Sequence, residues 1–220
     1  MIKAVIFDFD GTLLDSDKMI VATFEELYKI YKPTLKPEYD HLLTFSGPPI
    51  KESLLKEFPN ANQEEAFDNF QKISKINYVK YVKPFPYVIE MLQFLRQSNI
   101  KIALVTSKGR EATNFALELI KLDELFDFVI CADEVKHVKP DPEGVLLALK
   151  HLDIKNKDDV IYIGDSIYDY LTAKKAGIKF GYVKFSPRKL PNECVPDFEI
   201  TSFKGYLKDI LHLWLRKMSL

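Results

Sequence analysis

The chain has 220 residues, enough for one large domain or a domain carrying a smaller one, and enough to bury a substantial core. Its 31 basic and 32 acidic residues nearly cancel, which argues against a nucleic-acid or anionic-membrane partner. Cys131 and Cys194 cannot build a disulfide framework, no apolar run approaches the ~18 residues of a membrane helix, and the few apolar residues before Asp8 are too short for a secretion signal, so a reducing cytoplasm is the expected location.

The first predicted element is a strand. Ala4, Val5, Ile6 and Phe7 form an apolar run of the kind buried on both faces of a sheet. It ends in Asp8-Phe9-Asp10-Gly11-Thr12. Period-2 geometry puts Asp8 and Asp10 on one side of an extended chain, and Gly11 permits a sharp exit. Two neighbouring carboxylates repel unless a cation or a shared proton offsets the cost.

Helical spacing follows over 16–31, with Ile20, Phe24, Leu27, Tyr28 and Tyr31 on one face, Ser16 or Asp17 as the cap, and Lys32-Pro33 as the stop. No strand pattern appears before Lys83. Phe67, Phe70 and Ile73 mark another amphipathic helix, and Ser46-Gly47-Pro48-Pro49 marks a tight loop. Residues 16–82 therefore read as an all-helical insertion, with 83–86 as the return linker.

The remainder alternates. Helices are expected over 87–97, 110–120, 142–152 and 171–176, each followed by a strand: 101–107, 128–131, 160–165 and 180–183. A last helix places Phe203, Leu207, Ile210, Leu211 and Trp214 on one face. The fold class is α/β, a doubly wound parallel sheet with a Rossmann-like core, in two parts: 1–15 with 83–220 as the core, and 16–82 as a helical insertion.

In such a sheet, ligands bind beyond the carboxyl ends of the strands near a switch in strand order. Polar residues gather at that end of three strands: Asp8 and Asp10, Thr106 and Ser107, and Asp165 with Ser166. Asp169 follows Asp165 by four residues, a spacing that keeps both on one face of a new helix. Lys139 stands just before another helix. Four carboxylates face one lysine, and a phosphate ligand brings about two more negative charges. A site this acidic takes an anion only with a hard divalent cation, and carboxylate oxygens suit Mg²⁺. Lys139 and the Thr106 hydroxyl are then available to phosphate oxygens. A carboxylate nucleophile beside a protonatable carboxylate is the arrangement an aspartyl-phosphate mechanism needs. His41, His137, His151 and His212 fall outside these motifs.

On these motifs the sequence resembles the haloacid dehalogenase-like hydrolases. Asp8-Phe9-Asp10-Gly11-Thr12 is similar to the family's first motif, Thr106 or Ser107 to the second, Lys139 to the third, and Gly164-Asp165-Ser166-Ile167-Tyr168-Asp169 to the fourth. The helical insertion is similar to the family's cap. Phe45-Ser46-Gly47-Pro48-Pro49-Ile50 and the Gly-Asp-Ser opening of the fourth motif resemble the phosphoglycolate phosphatase and pyrophosphatase branch.

The resemblance implies roles. Asp8 is the expected nucleophile. Asp10 is the acid that protonates the leaving oxygen and the base that then activates water. Mg²⁺ is expected on the Asp8 carboxylate, the Asp10 backbone carbonyl and Asp165, with Asp169 supporting the metal shell and orienting Lys139. Thr106, Ser107 and Lys139 are expected to hold the phosphoryl group. Ser46, Gly47 and Lys51 are the candidate cap contacts to substrate. The expected partner is a small phosphorylated metabolite, and the expected assembly is a monomer or homodimer.

Two rivals remain. A sugar phosphomutase of the same family keeps both acids, but its fourth motif opens with a Glu-Asp pair where this chain has Gly164-Asp165. A phospho-accepting receiver domain is also α/β with clustered acids, but is about half this length and has no helical insertion. A dehalogenase has no use for the second acid, Asp10.

Overall fold

A computed structural model describes residues 2–206. In chain order the elements are β1 (Ala4–Phe7), β2 (Leu14–Asp15), α1 (Asp17–Tyr31), α2 (Tyr39–Leu43), α3 (Ile50–Glu57), α4 (Gln63–Tyr81), β3 (Lys83–Pro84), α5 (Val88–Gln97), β4 (Lys101–Val105), α6 (Arg110–Leu119), β5 (Phe128–Ile130), α7 (Glu143–His151), β6 (Val160–Gly164), α8 (Ile167–Ala176), β7 (Lys179–Val183) and β8 (Phe198–Ile200). The chain divides into two compact units, Leu14–Lys83 and the remainder, Met1–Leu13 with Pro84–Leu220.

The larger unit is built on a six-stranded sheet of order β5-β4-β1-β6-β7-β8. Every pairing is parallel, with Ala4 opposite Lys101 and Val160, and Phe7 opposite Leu104 and Ile163. β1 is fully buried, as an apolar strand with partners on both edges must be. Its residues alternate between faces. Ala4 and Ile6 join a core with Tyr162, Phe180, Val145 and Ala148 from β6, β7 and α7, and Ala173 and Ala176 from α8. The order reverses at β1, so the crevice at its carboxyl end lies between the β4 and β6 loops.

The smaller unit is helical. α1 buries Met19, Ile20, Val21, Phe24, Leu27 and Tyr28. Phe24 stacks on Phe45 at 4.1 Å between ring centres and lies 6.0 Å from Phe70 of α4. Glu57 at the end of α3 accepts from Tyr28 (2.5 Å) and Lys32 (2.6 Å), tying α3 to α1. Asn62 caps α4 by accepting from the Glu64 and Glu65 amides.

Three expectations change. α8 starts at Ile167, well before 171, because Ser166 and Asp169 form a capping box that opens it. Ser16 stands at the N-cap of α1, but its hydroxyl makes no capping bond. β8, a three-residue edge strand, is additional to the expected strands. Of the expected terminal helix, 203–206 are helical with Phe203 buried, and the rest, with His212, lies outside the described residues.

Candidate active site

The site is assembled at the carboxyl ends of β1, β4 and β6. Asp8 follows β1, and its amide continues the ladder to the Ile163 carbonyl at 2.9 Å. Its Oδ1 accepts from Lys139 Nζ at 2.5 Å, and its Oδ2 accepts from the Thr12 hydroxyl at 3.1 Å. The Thr12 and Leu13 amides both donate to the Phe9 carbonyl, so the chain turns immediately after the strand. Gly11 has φ +89°. A side chain there would be strained by the backbone and would run into Asp165 and Arg188.

Asp10 sits in that turn. Its Oδ2 is 3.0 Å from Lys108 Nζ, while its Oδ1 is buried with no hydrogen-bond partner. Thr106 follows β4 and is buried. Its hydroxyl accepts from the Lys108 amide at 3.1 Å, making a tight turn ahead of α6, which starts at Arg110. Ser107 is exposed.

Lys139 lies in the loop before α7, joined to Pro140 by a cis peptide bond. Its ammonium donates to Asp8 Oδ1, to Asp169 Oδ1 at 2.7 Å and to the Tyr162 hydroxyl at 3.3 Å. Both Asp169 oxygens are engaged. Tyr162 also donates to Oδ1 (3.0 Å), and the Ser166 amide (3.0 Å) and hydroxyl (2.6 Å) donate to Oδ2. Asp165 ends the turn after β6, and its Oδ2 accepts from Ser186 (2.5 Å) and from Arg188 Nη1.

Asp165 and Asp169 do not share a helix face as their spacing implied. Asp165 precedes α8, and Asp169 lies in its first turn. Gly164 lets the Asp169 side chain pack against the strand end, because any Cβ there would overlap it.

Burial pushes the Asp8 carboxyl up to about 7, with Asp169 adding to the rise and Lys139 opposing it. Burial likewise lifts Asp165 to about 6 against the pull of Arg188. Burial would raise Asp169 too, but Lys139 outweighs it and holds that carboxyl below its ordinary value. Burial opposes the charge on Lys139, yet Asp169 and Asp8 hold its ammonium well above the ordinary value.

One acidic cluster among the described residues has metal-site spacing: oxygens of Asp8, Asp165 and Asp169 lie within 4.8 Å of one another. The donor set fits a hard divalent cation. It offers carboxylate oxygens, and glycine where a Cβ would crowd Asp165. The Asp10 carboxylate is not in this cluster, and the ligand expected from that residue is its backbone carbonyl. Asp169 is saturated by protein donors, Lys139 among them.

The structure also brings in cations the sequence reading missed. Lys108 and Arg188 join Lys139, so three cations stand among four carboxylates where one was counted. Lys108 was detectable, directly following Thr106-Ser107. Arg188, Ser186 and Tyr162 carried no motif. A bound phosphate, with about two negative charges, still leaves the site in excess of negative charge.

Ser46, Gly47 and Lys51 lie in the helical unit. Ser46 is buried and donates to Asp17 Oδ1 at 2.5 Å. Gly47 has φ +119°, and the Lys51 ammonium sits 4.9 Å from the Phe67 ring centre. Among the described residues no helix is long and apolar enough to cross a membrane.

A model of the haloacid dehalogenase-like hydrolase family matches residues 5–183. The pyrophosphatase PpaX of Halalkalibacterium halodurans is 34% identical over 208 residues, covering 94% of this chain and 95% of that protein. The Bacillus thuringiensis protein of the same name is 32% identical over the same span. A crystal structure from Bacteroides fragilis, provisionally named a haloacid dehalogenase-like hydrolase, superposes with a TM-score of 0.84 at 28% identity, covering 94% of this chain and all of that one. A Thermotoga maritima structure, provisionally named a β-phosphoglucomutase, gives 0.78 at 26%, covering 95% of this chain and all of that one. The parallel sheet, the acids at its carboxyl end and these near-full-length matches agree: the chain belongs to the haloacid dehalogenase-like hydrolases, as a phosphatase enzyme.

Proposed function

We propose that the protein hydrolyses a small phosphorylated metabolite in a Mg²⁺-dependent reaction, through a phosphoaspartate on Asp8. The observation that carries this reading is the difference between two carboxylates. Asp8 is gripped on both oxygens by Lys139 and Thr12, whereas Asp10 keeps an unpartnered buried oxygen. A carboxylate held at both oxygens suits in-line attack, and one held by Lys108 at a single oxygen keeps the other for proton transfer.

In the first half-reaction an Asp8 oxygen bonds to phosphorus, the ester P–O bond breaks, and the Asp10 carboxyl gives its proton to the leaving oxygen. In the second, the Asp10 carboxylate takes a proton from water, the water oxygen bonds to phosphorus, and the Asp8 carboxylate leaves. Lys139 holds the nucleophile, and with Thr106 and Ser107 it receives phosphoryl oxygens. Asp8, Asp165 and the Asp10 carbonyl would hold the divalent cation, which would supply positive charge that favours ionised carboxylates and offsets the negative charge of the phosphate.

The core motifs address only the phosphoryl group. The helical unit, inserted between Asp8 and the rest of the core, is therefore the cap that chooses the leaving group, through Ser46, Gly47 and Lys51. Pyrophosphate, from the names of the relatives, and phosphoglycolate, from the motif likeness, are the substrates to test first. The free cysteines Cys131 and Cys194 are in keeping with a reducing cytoplasm.

The mutase reading draws on the Thermotoga neighbour, but the close packing of Gly164 on Asp169 leaves no room for the Glu of a mutase's fourth motif. The experiment is phosphate release from pyrophosphate, phosphoglycolate and para-nitrophenyl phosphate, with Mg²⁺ and with excess EDTA. Multiple-turnover release that EDTA abolishes is expected. Equal release in both conditions, or sugar-phosphate interconversion in place of release, overturns the proposal.

A further inference from the structure

Arg188 has no part in the chemistry above, yet it lies inside the site. Its Nη1 is paired with Asp165 Oδ2 and lies 3.1 Å from the Ser186 hydroxyl, which itself donates to that same carboxylate oxygen. The guanidinium fills the space that Gly11 leaves open. Both partners are well shielded, with side chains 12% and 2% exposed, so water screens the pair little. The Arg188 backbone is anchored independently, because the Tyr182 hydroxyl donates to its carbonyl at 2.6 Å. Its long side chain can therefore leave Asp165 without moving the loop.

We propose that Arg188 competes with the divalent cation for Asp165, holding that carboxylate in place while no metal is bound and giving it up when one arrives. The inference rests on the divalent-metal reading of the site. A guanidinium on Oδ2 occupies one of the two oxygens Asp165 can offer, and its charge repels a cation approaching the other. The two cations oppose each other at one carboxylate, so Arg188 lowers metal affinity and raises the concentration needed for loading. It is a positioning residue acting through Asp165.

The test measures metal binding itself. Mg²⁺ and Mn²⁺ are titrated by calorimetry into the full-length wild-type protein, Arg188→Gln and Lys108→Gln. Lys108→Gln controls for loss of a positive charge, since Lys108 pairs with Asp10 instead. Arg188→Gln is expected to bind metal about tenfold more tightly or better, the scale of one lost charge-assisted hydrogen bond. Lys108→Gln is expected to gain less. In wild-type protein, the Arg188 side-chain Nε–H resonance is expected to shift as metal is added, which needs no variant to fold.

Unchanged or weaker binding by Arg188→Gln, an equal gain in Lys108→Gln, or an Arg188 resonance indifferent to metal each overturns the inference while leaving the metal reading intact. No metal binding by any of the three proteins overturns both.

Discussion

Lys139 Nζ stands 2.5 Å from Asp8 Oδ1 although 131 residues separate them in the chain. The same ammonium reaches Asp169 at 2.7 Å, so one buried cation bridges two buried carboxylates. It holds the proposed nucleophile and the neighbouring Asp169 at once.

Removing the nucleophile while keeping its shape separates chemistry from folding. Asp8→Asn is expected to lose turnover by about 10⁴-fold or more, with its unfolding midpoint preserved. Asp10→Asn is expected to lose about 10²–10⁴-fold. A beryllium fluoride complex should place the phosphate mimic on Asp8. A mimic bound to any other residue refutes the assignment.

Lys139→Met leaves Asp8 and Asp169 facing each other without a cation. Uncompensated buried charge costs about 3–5 kcal/mol, so a large fall in stability is expected in urea at pH 7. The deficit should shrink on acidification. With Lys139 present the folded Asp169 carboxyl lies below its ordinary value, so its contribution is present above the unfolded value and disappears as the pH falls through the folded one. A deficit independent of pH contradicts this account.

Metal stabilisation should also grow with pH, but through carboxyls shifted the other way. Asp8 at about 7 and Asp165 at about 6 lie above their unfolded value of 3.8. Their contribution is fully present below the unfolded value and is lost as the pH rises towards 6–7, so the metal-free protein weakens over that range. A divalent cation needs those carboxylates ionised and reverses the loss. The Mg²⁺-induced rise in Tm should therefore grow from pH 5 to pH 8, levelling above about 7. Equal shifts at both ends of the range are the contrary result.

Cap recognition predicts selective damage. Lys51→Ala is expected to raise KM or lower kcat severalfold for the preferred anionic substrate while barely changing turnover of para-nitrophenyl phosphate. Changes of equal size for both assign Lys51 to stability, including its packing over Phe67. No change for either makes the loop a simple turn.

Much of the site was legible because its parts are local. An apolar run ending in Asp8 and Asp10, a hydroxyl residue after β4, a lysine ahead of α7 and Gly164-Asp165 after β6 each carry a signature within a few residues. Strand–helix alternation then says that these ends share one edge of a parallel sheet. The start of α8 was missed because its signal is reciprocal capping by Ser166 and Asp169, not apolar periodicity.

The sequence by itself determined the α/β class, the helical insertion and the acids at the strand ends, since these follow from periodicity and short-range spacing. Only the tertiary structure decided how their charges are balanced. With β4 and β6 flanking β1, Lys108 lies beside Asp10, and the loop beyond β7 carries Arg188 back onto Asp165. No local pattern encodes such pairings, because opposite charges far apart in the chain meet only once the strand order has fixed which loops are neighbours.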